Sequence, residues 1–244
     1  MAPHVPPPIE RRTPARLVVD LYSTEKTMPV SPSCKYPFWT FNDGVPGPMI
    51  RARVGDVLEV NYTNRAESGM AHNIDLHSVV GPGGGGPCLY AEQDETKTGI
   101  FKCTSPGLFV YHCAAAPVPV HIANGIARRL PRRSPGLPTR SAAAVGATPT
   151  SGLPPVDREF YVVQHEVYSA EDEEGSSVLE LDYEAGLRES PTYVVFNGRE
   201  GALTERPLMA KQGERVRIYF GNAGPNLISS LHVIGAIFDK ATSC

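Results

Sequence analysis

His112 and Cys113 stand side by side in the stretch YHCAAAPVPVHIANGI, residues 111–126, and His121 follows eight positions after the cysteine. A thiolate and an imidazole within one short loop are ligands for a soft or borderline metal ion. A blue-type copper site needs one thiolate and two imidazoles in a trigonal set, often with a weak axial thioether. The third ligand must come from another strand, and AHNIDLH, residues 71–77, offers His72 and His77.

Side chains alternate faces along an extended strand. His72 therefore points away from the side that Asp75 and His77 share, and the adjacent His112 and Cys113 also face opposite ways. Two groups result: His72, Cys113 and His121 on one side of the strand layer, and Asp75, His77 and His112 on the other. The first contains sulfur and suits an electron-transfer copper. The second combines imidazoles with a carboxylate that need not be a ligand, and suits an open catalytic metal. The peptide bond between His112 and Cys113 links them. One histidine on a strand is more often structural than a ligand, but four histidines and a cysteine that sort by parity onto two faces point to a redox enzyme acting on a small ligand. Two other features read as structural. The GPGGGG run, residues 81–86, precedes no helix and reads as a flexible turn rather than a phosphate cradle. His165, in VVQHEVY, has no ligand partner nearby and reads as structural or exposed.

The elements that must position these residues are strands. Gly and Pro number 23 and 24 in 244 residues, and no long window shows apolar residues at helical spacing. Two stretches share one pattern: FNDGVPGPMIRARVGDVLEVNYTN, residues 41–64, and FNGREGALTERPLMAKQGERVRIYFGN, residues 196–222. In each, an aromatic-Asn turn leads to a Gly-acid pair, Gly55-Asp56 or Gly213-Glu214, and then to an alternating strand, VLEVNYT or RVRIYFG. A histidine closes each unit, His72 and His232. This is an internal repeat of domain size, and each copy is expected to be one β-sandwich. The expected division is a first domain over residues 1–126, holding both ligand groups, and a partial second domain over residues 156–244. Between them, residues 127–155 read as a linker, and their stretch 127–152 carries five arginines and four prolines with no strand pattern.

A net charge of -3 and a pI near 6.2 give no basic excess for nucleic acid. No apolar run approaches the ~18 residues of a membrane span. The N-terminal MAPHVPPPIERR lacks the apolar core of a secretory signal and reads as a mature end. The cysteines, Cys34, Cys88, Cys103, Cys113 and Cys244, are odd in number and irregular in spacing, so a disulfide framework is not expected and Cys113 is expected to be free.

TFNDGVPGPMIR, HNIDLH, GPGGG, PGLFVYHCAAAPVPVHIANG, GLPPVDREFYVVQ, YVVFNG and GPNLISSLHVIGAIFDK together resemble the two-domain copper-containing nitrite reductases, through most of the chain outside the linker and the last few residues. The resemblance implies two tandem cupredoxin-like Greek-key sandwiches and the one-electron, two-proton reduction of nitrite to nitric oxide. His72, Cys113 and His121 would hold the blue, type 1 copper, which takes its electron from a small redox protein. His77 and His112 would hold the catalytic, type 2 copper, with Asp75 and His232 relaying protons. It also implies a homotrimer in which His232 serves a neighbouring subunit's copper, and, from bacterial relatives, a periplasmic location.

The sequence departs from the family pattern at three places. Ile126 stands where the family has the axial methionine, the linker stands where a strand is expected to close the first sandwich, and the sequence ends at KATSC, so the second sandwich is expected to be incomplete and the second copper to lack a third histidine. Two other readings compete with a reductase. A laccase-type oxidase needs further His-x-His pairs, which this chain lacks. A blue-copper carrier or copper-binding remnant would use the first group alone, but has no use for Asp75, His77, His112 and His232.

Overall fold

The computed structural model describes residues 2–124, 143–147, 155–170 and 177–241. In chain order the elements are β1 (Arg16–Pro29), β2 (Lys35–Phe41), β3 (Ile50–Ala52), β4 (Val57–Asn64), β5 (Asp75–Leu76), a 3-10 segment (Pro82–Leu89), β6 (Thr96–Lys102), β7 (Gly107–His112), α1 (Val118–Ala123), β8 (Ala143–Ala147), β9 (Arg158–Val167), α2 (Tyr183–Leu187), β10 (Tyr193–Phe196), α3 (Ala202–Glu205) and β11 (Val216–Asn222). The fold is all-β, as expected.

Two four-stranded sheets, ordered β2-β1-β4-β6 and β3-β8-β7-β5, make the first unit. Along β4 every second residue is buried, which places Leu58, Val60 and Tyr62 in the core between the sheets with Leu21, Trp39, Phe41, Ile74, Leu76 and Tyr111. Full burial of one such apolar side chain contributes about 1.5–3 kcal/mol, so this layer rigidly fixes β5 and β7, the strands that carry the ligands.

The third sheet, β10-β9-β11, repeats the β2-β1-β4 arrangement. In both, the first-named strand pairs antiparallel with the middle one and the last pairs parallel. The repeat extends to the turns. Asn42 and Asn197 both have positive φ, and their side-chain oxygens accept from Tyr22 N at 3.1 Å and Val163 N at 3.0 Å. Asn64 and Asn222 close the two units alike, donating to Met70 O at 2.8 Å and Leu227 O at 2.6 Å. β11 lacks the clean alternation expected of RVRIYFG: it is half-buried along most of its length, because among the described residues it pairs with β9 on one side only. β9 lies between two strands and is buried from Tyr161 onward. The units meet at Arg51, whose guanidinium pairs with Glu159 at 2.5 Å, and at Tyr161, whose hydroxyl donates to Gly47 O at 3.0 Å.

Two expectations are corrected. The segment read as a linker without strand pattern contributes β8, which pairs antiparallel with β7 and parallel with β3. Its AAVGA sequence has neither charge nor proline, and the facing edges of β3 and β7 leave backbone donors and acceptors that a strand between them satisfies. The GPGGGG run is not a loose turn. Its last five residues open the segment packed over β5 and β6, where Gly83, Gly84 and Gly85 make a kink at positive, non-helical φ.

Candidate metal centres

The first group converges on three atoms. Cys113 Sγ lies 3.6 Å from His72 Nδ1 and 3.4 Å from His121 Nδ1, and the two Nδ1 atoms are 3.2 Å apart. All three residues are buried. Each arrives by a different route. His72 is pinned by paired backbone bonds with Ala91, at 3.0 and 2.8 Å. Cys113 follows β7 directly. His121 sits in α1, whose single turn and a half, begun with proline at an early position where its missing N–H costs nothing, folds the chain back over the cysteine.

Burial controls the protonation of this group. It pulls His72 down to about 3, with His121 alongside adding to the effect, and pulls His121 down to about 4. Both rings are therefore neutral at neutral pH, the form that coordinates a metal. The Cys113 thiol is pushed up to about 11 by burial, against the opposing pull of backbone hydrogen bonds from Asn73 and Ala115. A bound cation deprotonates such a thiol outright. The Nε2 atoms of both histidines are buried without a hydrogen-bond partner, so each ring's polar interaction is concentrated at Nδ1. One thiolate and two neutral imidazoles turned toward a common point fit copper.

The second group comprises Asp75, His77 and His112, whose ligand atoms lie within 4.8 Å of one another. β5 and β7 place them: Asp75 is the direct cross-strand partner of His112, and His77 N donates to Val110 O at 2.9 Å. His112 Nδ1 lies 3.0 Å from the Cys113 carbonyl. A carbonyl only accepts, so Nδ1 carries the proton and Nε2 presents its lone pair to His77 Nε2, 3.0 Å away. Two imidazoles and a carboxylate around one point also fit a metal, and leave positions for a small ligand.

The structure thus brings six of the seven expected site residues into two groups. His232 is exposed in the C-terminal stretch and joins neither. His165 is buried on β9 and His4 is exposed, and neither belongs to a metal-binding group among the described residues. Ile126 lies outside the described residues. Cys34, Cys88, Cys103 and Cys113 are free.

Sequence reasoning missed three residues of the first centre. Trp39 sets its ring edge-on to both His72 and His121, with centroids 4.8 and 5.3 Å away; as the chain's single tryptophan it was the one available signal. Asn73 N donates to Cys113 Sγ at 3.4 Å, and its side-chain oxygen accepts from Ala114 N at 2.6 Å. Asn124 accepts from the buried Tyr36 hydroxyl and its carbonyl accepts from Trp39 N, tying the end of α1 to β2.

Residues 24–127 match the family described as Multicopper oxidase. A copper-containing nitrite reductase of Neisseria meningitidis serogroup A is 45% identical over 240 residues, which cover 98% of this chain and 58% of that protein. The chain thus spans little more than half the length of that relative. Among solved structures, a copper nitrite reductase from Nitrosomonas europaea aligns with a TM-score of 0.68 at 30% identity, covering 87% of this chain and 69% of that one. A Cu-containing nitrite reductase from Thermus scotoductus SA-01 aligns with a TM-score of 0.74 at 24% identity, covering 92% of this chain and 48% of that one, a likeness of fold.

Proposed function

Because this chain belongs to the copper-containing nitrite reductase family, we propose that it reduces nitrite to nitric oxide at its second ligand group, with the electron entering at the first. The observation that carries this reading is the placement of two ligand groups back to back, joined by the single peptide bond between His112 and Cys113. His72, Cys113 and His121 would hold a type 1 copper; His77 and His112 would hold a type 2 copper. When bound, copper supplies one-electron redox chemistry.

The remaining work belongs to the protein. Nitrite, one electron and two protons become nitric oxide and water, so an N–O bond breaks and the departing oxygen leaves as water. The Asp75 carboxyl, beside both imidazoles of the second group, would hold one proton for that oxygen. His232 would relay the other, from its exposed stretch to a neighbouring subunit's centre. The His112 Nδ1 bond to the Cys113 carbonyl holds its ring in the ligating tautomer. This reading includes a small redox protein as electron donor, a homotrimer and a periplasmic location. It also takes residues 1–126, whose second sheet β8 completes, as the domain that holds both centres.

One observation favours the carrier as second reading: the first group is complete and buried, whereas the second offers two imidazoles among the described residues. Metal content, visible absorption and nitric oxide production from nitrite with an artificial reductant separate the two. Two coppers with nitric oxide production, lost in Asp75→Asn, support the reductase. One copper, a strong visible band and no nitric oxide mean a carrier.

A further inference from the structure

The glycine run in the 3-10 segment lies directly on the strand that joins the two centres. A Cβ at Gly86 would come within 3.1 Å of Asn73 Nδ2, and one at Gly85 within 2.8 Å of Phe101 Cζ. The closest approach is at Gly84. A Cβ there would overlap Asp75 Oδ1, and would lie 2.8 Å from Asp75 Cγ and 2.9 Å from Leu76 N. Distances under 3.0 Å force a displacement: the overlapped Asp75 carboxylate must move furthest, while the Leu76 amide, at 2.9 Å, need give only slightly.

We propose that Gly84 is a positioning residue: it leaves the space in which the Asp75 carboxylate stands beside His77 and His112, and any side chain at that position turns the carboxylate out of the group. The proposal rests on reading Asp75 as a proton donor to nitrite. It adds that the second centre is roofed by a backbone surface, so that the carboxylate's orientation is set from the 3-10 segment rather than from β5 alone. Asp75 is only half-buried, and short of such a roof its side chain would have open rotamers.

Gly83 supplies a matched control. It has the same φ of 53° as Gly84, so alanine meets the same backbone strain at both positions. A Cβ at Gly83, however, meets only Pro87, at 3.3 Å, and never Asp75. The experiment places Gly83→Ala and Gly84→Ala in the full chain, each alone and combined with Asp75→Ala. The metal-free proteins are compared by imidazole proton–carbon NMR at His77 and His112 and by thermal unfolding.

Both single variants are expected to lower the unfolding temperature. Only Gly84→Ala should markedly shift the His77 and His112 resonances, in the direction Asp75→Ala shifts them, and adding it to Asp75→Ala should leave only the small further shift that the Leu76 amide contact causes. The proposal is overturned if Gly84→Ala leaves the resonances where Gly83→Ala does, or if its shift persists undiminished without the Asp75 carboxylate. Should Gly84→Ala fail to fold, the double variant decides. Folding restored by Asp75→Ala supports the proposal; continued failure assigns the glycine to the Leu76 backbone and overturns it. The readout needs neither copper nor nitrite. A chain that produces no nitric oxide would therefore count against the proposed function while leaving this positional result intact.

Discussion

Asp75 and His112 stand directly opposite one another across the antiparallel pair of β5 and β7. Opposed residues share a face of the sheet, so the carboxylate lies on the same side as the His112 imidazole while Cys113, one residue on, turns to the other. Two centres of different chemistry can therefore sit on one short pair of strands. What separates them is the alternation of the strand itself.

Cys113→Ser should abolish any intense visible absorption of the copper-loaded chain, since that band requires a copper–thiolate bond. Cys103→Ser should leave it intact: Cys103 is buried elsewhere, its thiol pushed up to about 11 chiefly by burial and secondarily by Asp56. Absorption spectra of both variants provide the check, and loss of colour in the Cys103 variant would contradict the site.

Trp39→Ala should cost about 3–5 kcal/mol of stability, as expected for a large aromatic removed from a core. It should also alter the first centre, because the indole packs perpendicular to both imidazoles. Denaturant unfolding measures the first effect. A change in the copper band measures the second, with Trp39→Phe showing less of each.

Chelation should strip the two centres unequally. The second group has an exposed His77 and a half-buried Asp75 beside the buried His112, whereas the first has three buried ligands. EDTA titration of the copper-loaded chain should remove one equivalent early with the visible band unchanged, and the band should fade only with the second equivalent. Simultaneous loss would show that the first group does not hold its metal independently.

Asp56 should make the fold acid-sensitive. Burial raises its carboxyl, but hydrogen bonds from Arg11, Arg53 N and Ala15 N outweigh that and hold it below the usual carboxylate range. A depressed folded-state value means the stabilisation is complete above the unfolded value, about 3.9, and is lost as pH falls through the lower folded one. Asp56→Asn should therefore lower the unfolding temperature at pH 7, and the gap to the unaltered chain should narrow as pH falls below the unfolded value, about 3.9. A gap that stays constant with pH would refute this.

Glu166 should act as a latch for the stretch that leads to His232. Its buried carboxylate accepts from Asn226 N at 3.1 Å, Leu227 N at 2.8 Å and the Tyr168 hydroxyl. Glu166→Ala leaves these donors unpaired at about 1–3 kcal/mol, and amide exchange at Asn226 and Leu227 should accelerate while β4 and β7 keep their protection. Global acceleration would mean the latch is part of the main core.

Much of this was legible from residue types and local periodicity. The period of two along HNIDLH and YHC sorts the ligands onto two faces without knowledge of the fold, because alternation is a property of any extended strand. The paired FND and FNG turns likewise announce a duplicated unit. The 127–155 segment misled, because charge and proline around AAVGA outweighed five residues whose strand state depends on the edges of β3 and β7.

By itself, then, the sequence determined which side chains can ligate, how they divide between two faces, and that the architecture is β. Only the tertiary structure decided that Trp39 closes on both imidazoles, that Asn73 and Asn124 brace the thiolate and its loop, that His112 turns Nε2 inward, and that Gly84 roofs Asp75. The first set depends on chemistry and on the geometry of neighbours along the chain. The second depends on contacts between segments far apart in sequence, whose approach is set by packing of the whole core and leaves no spacing to read.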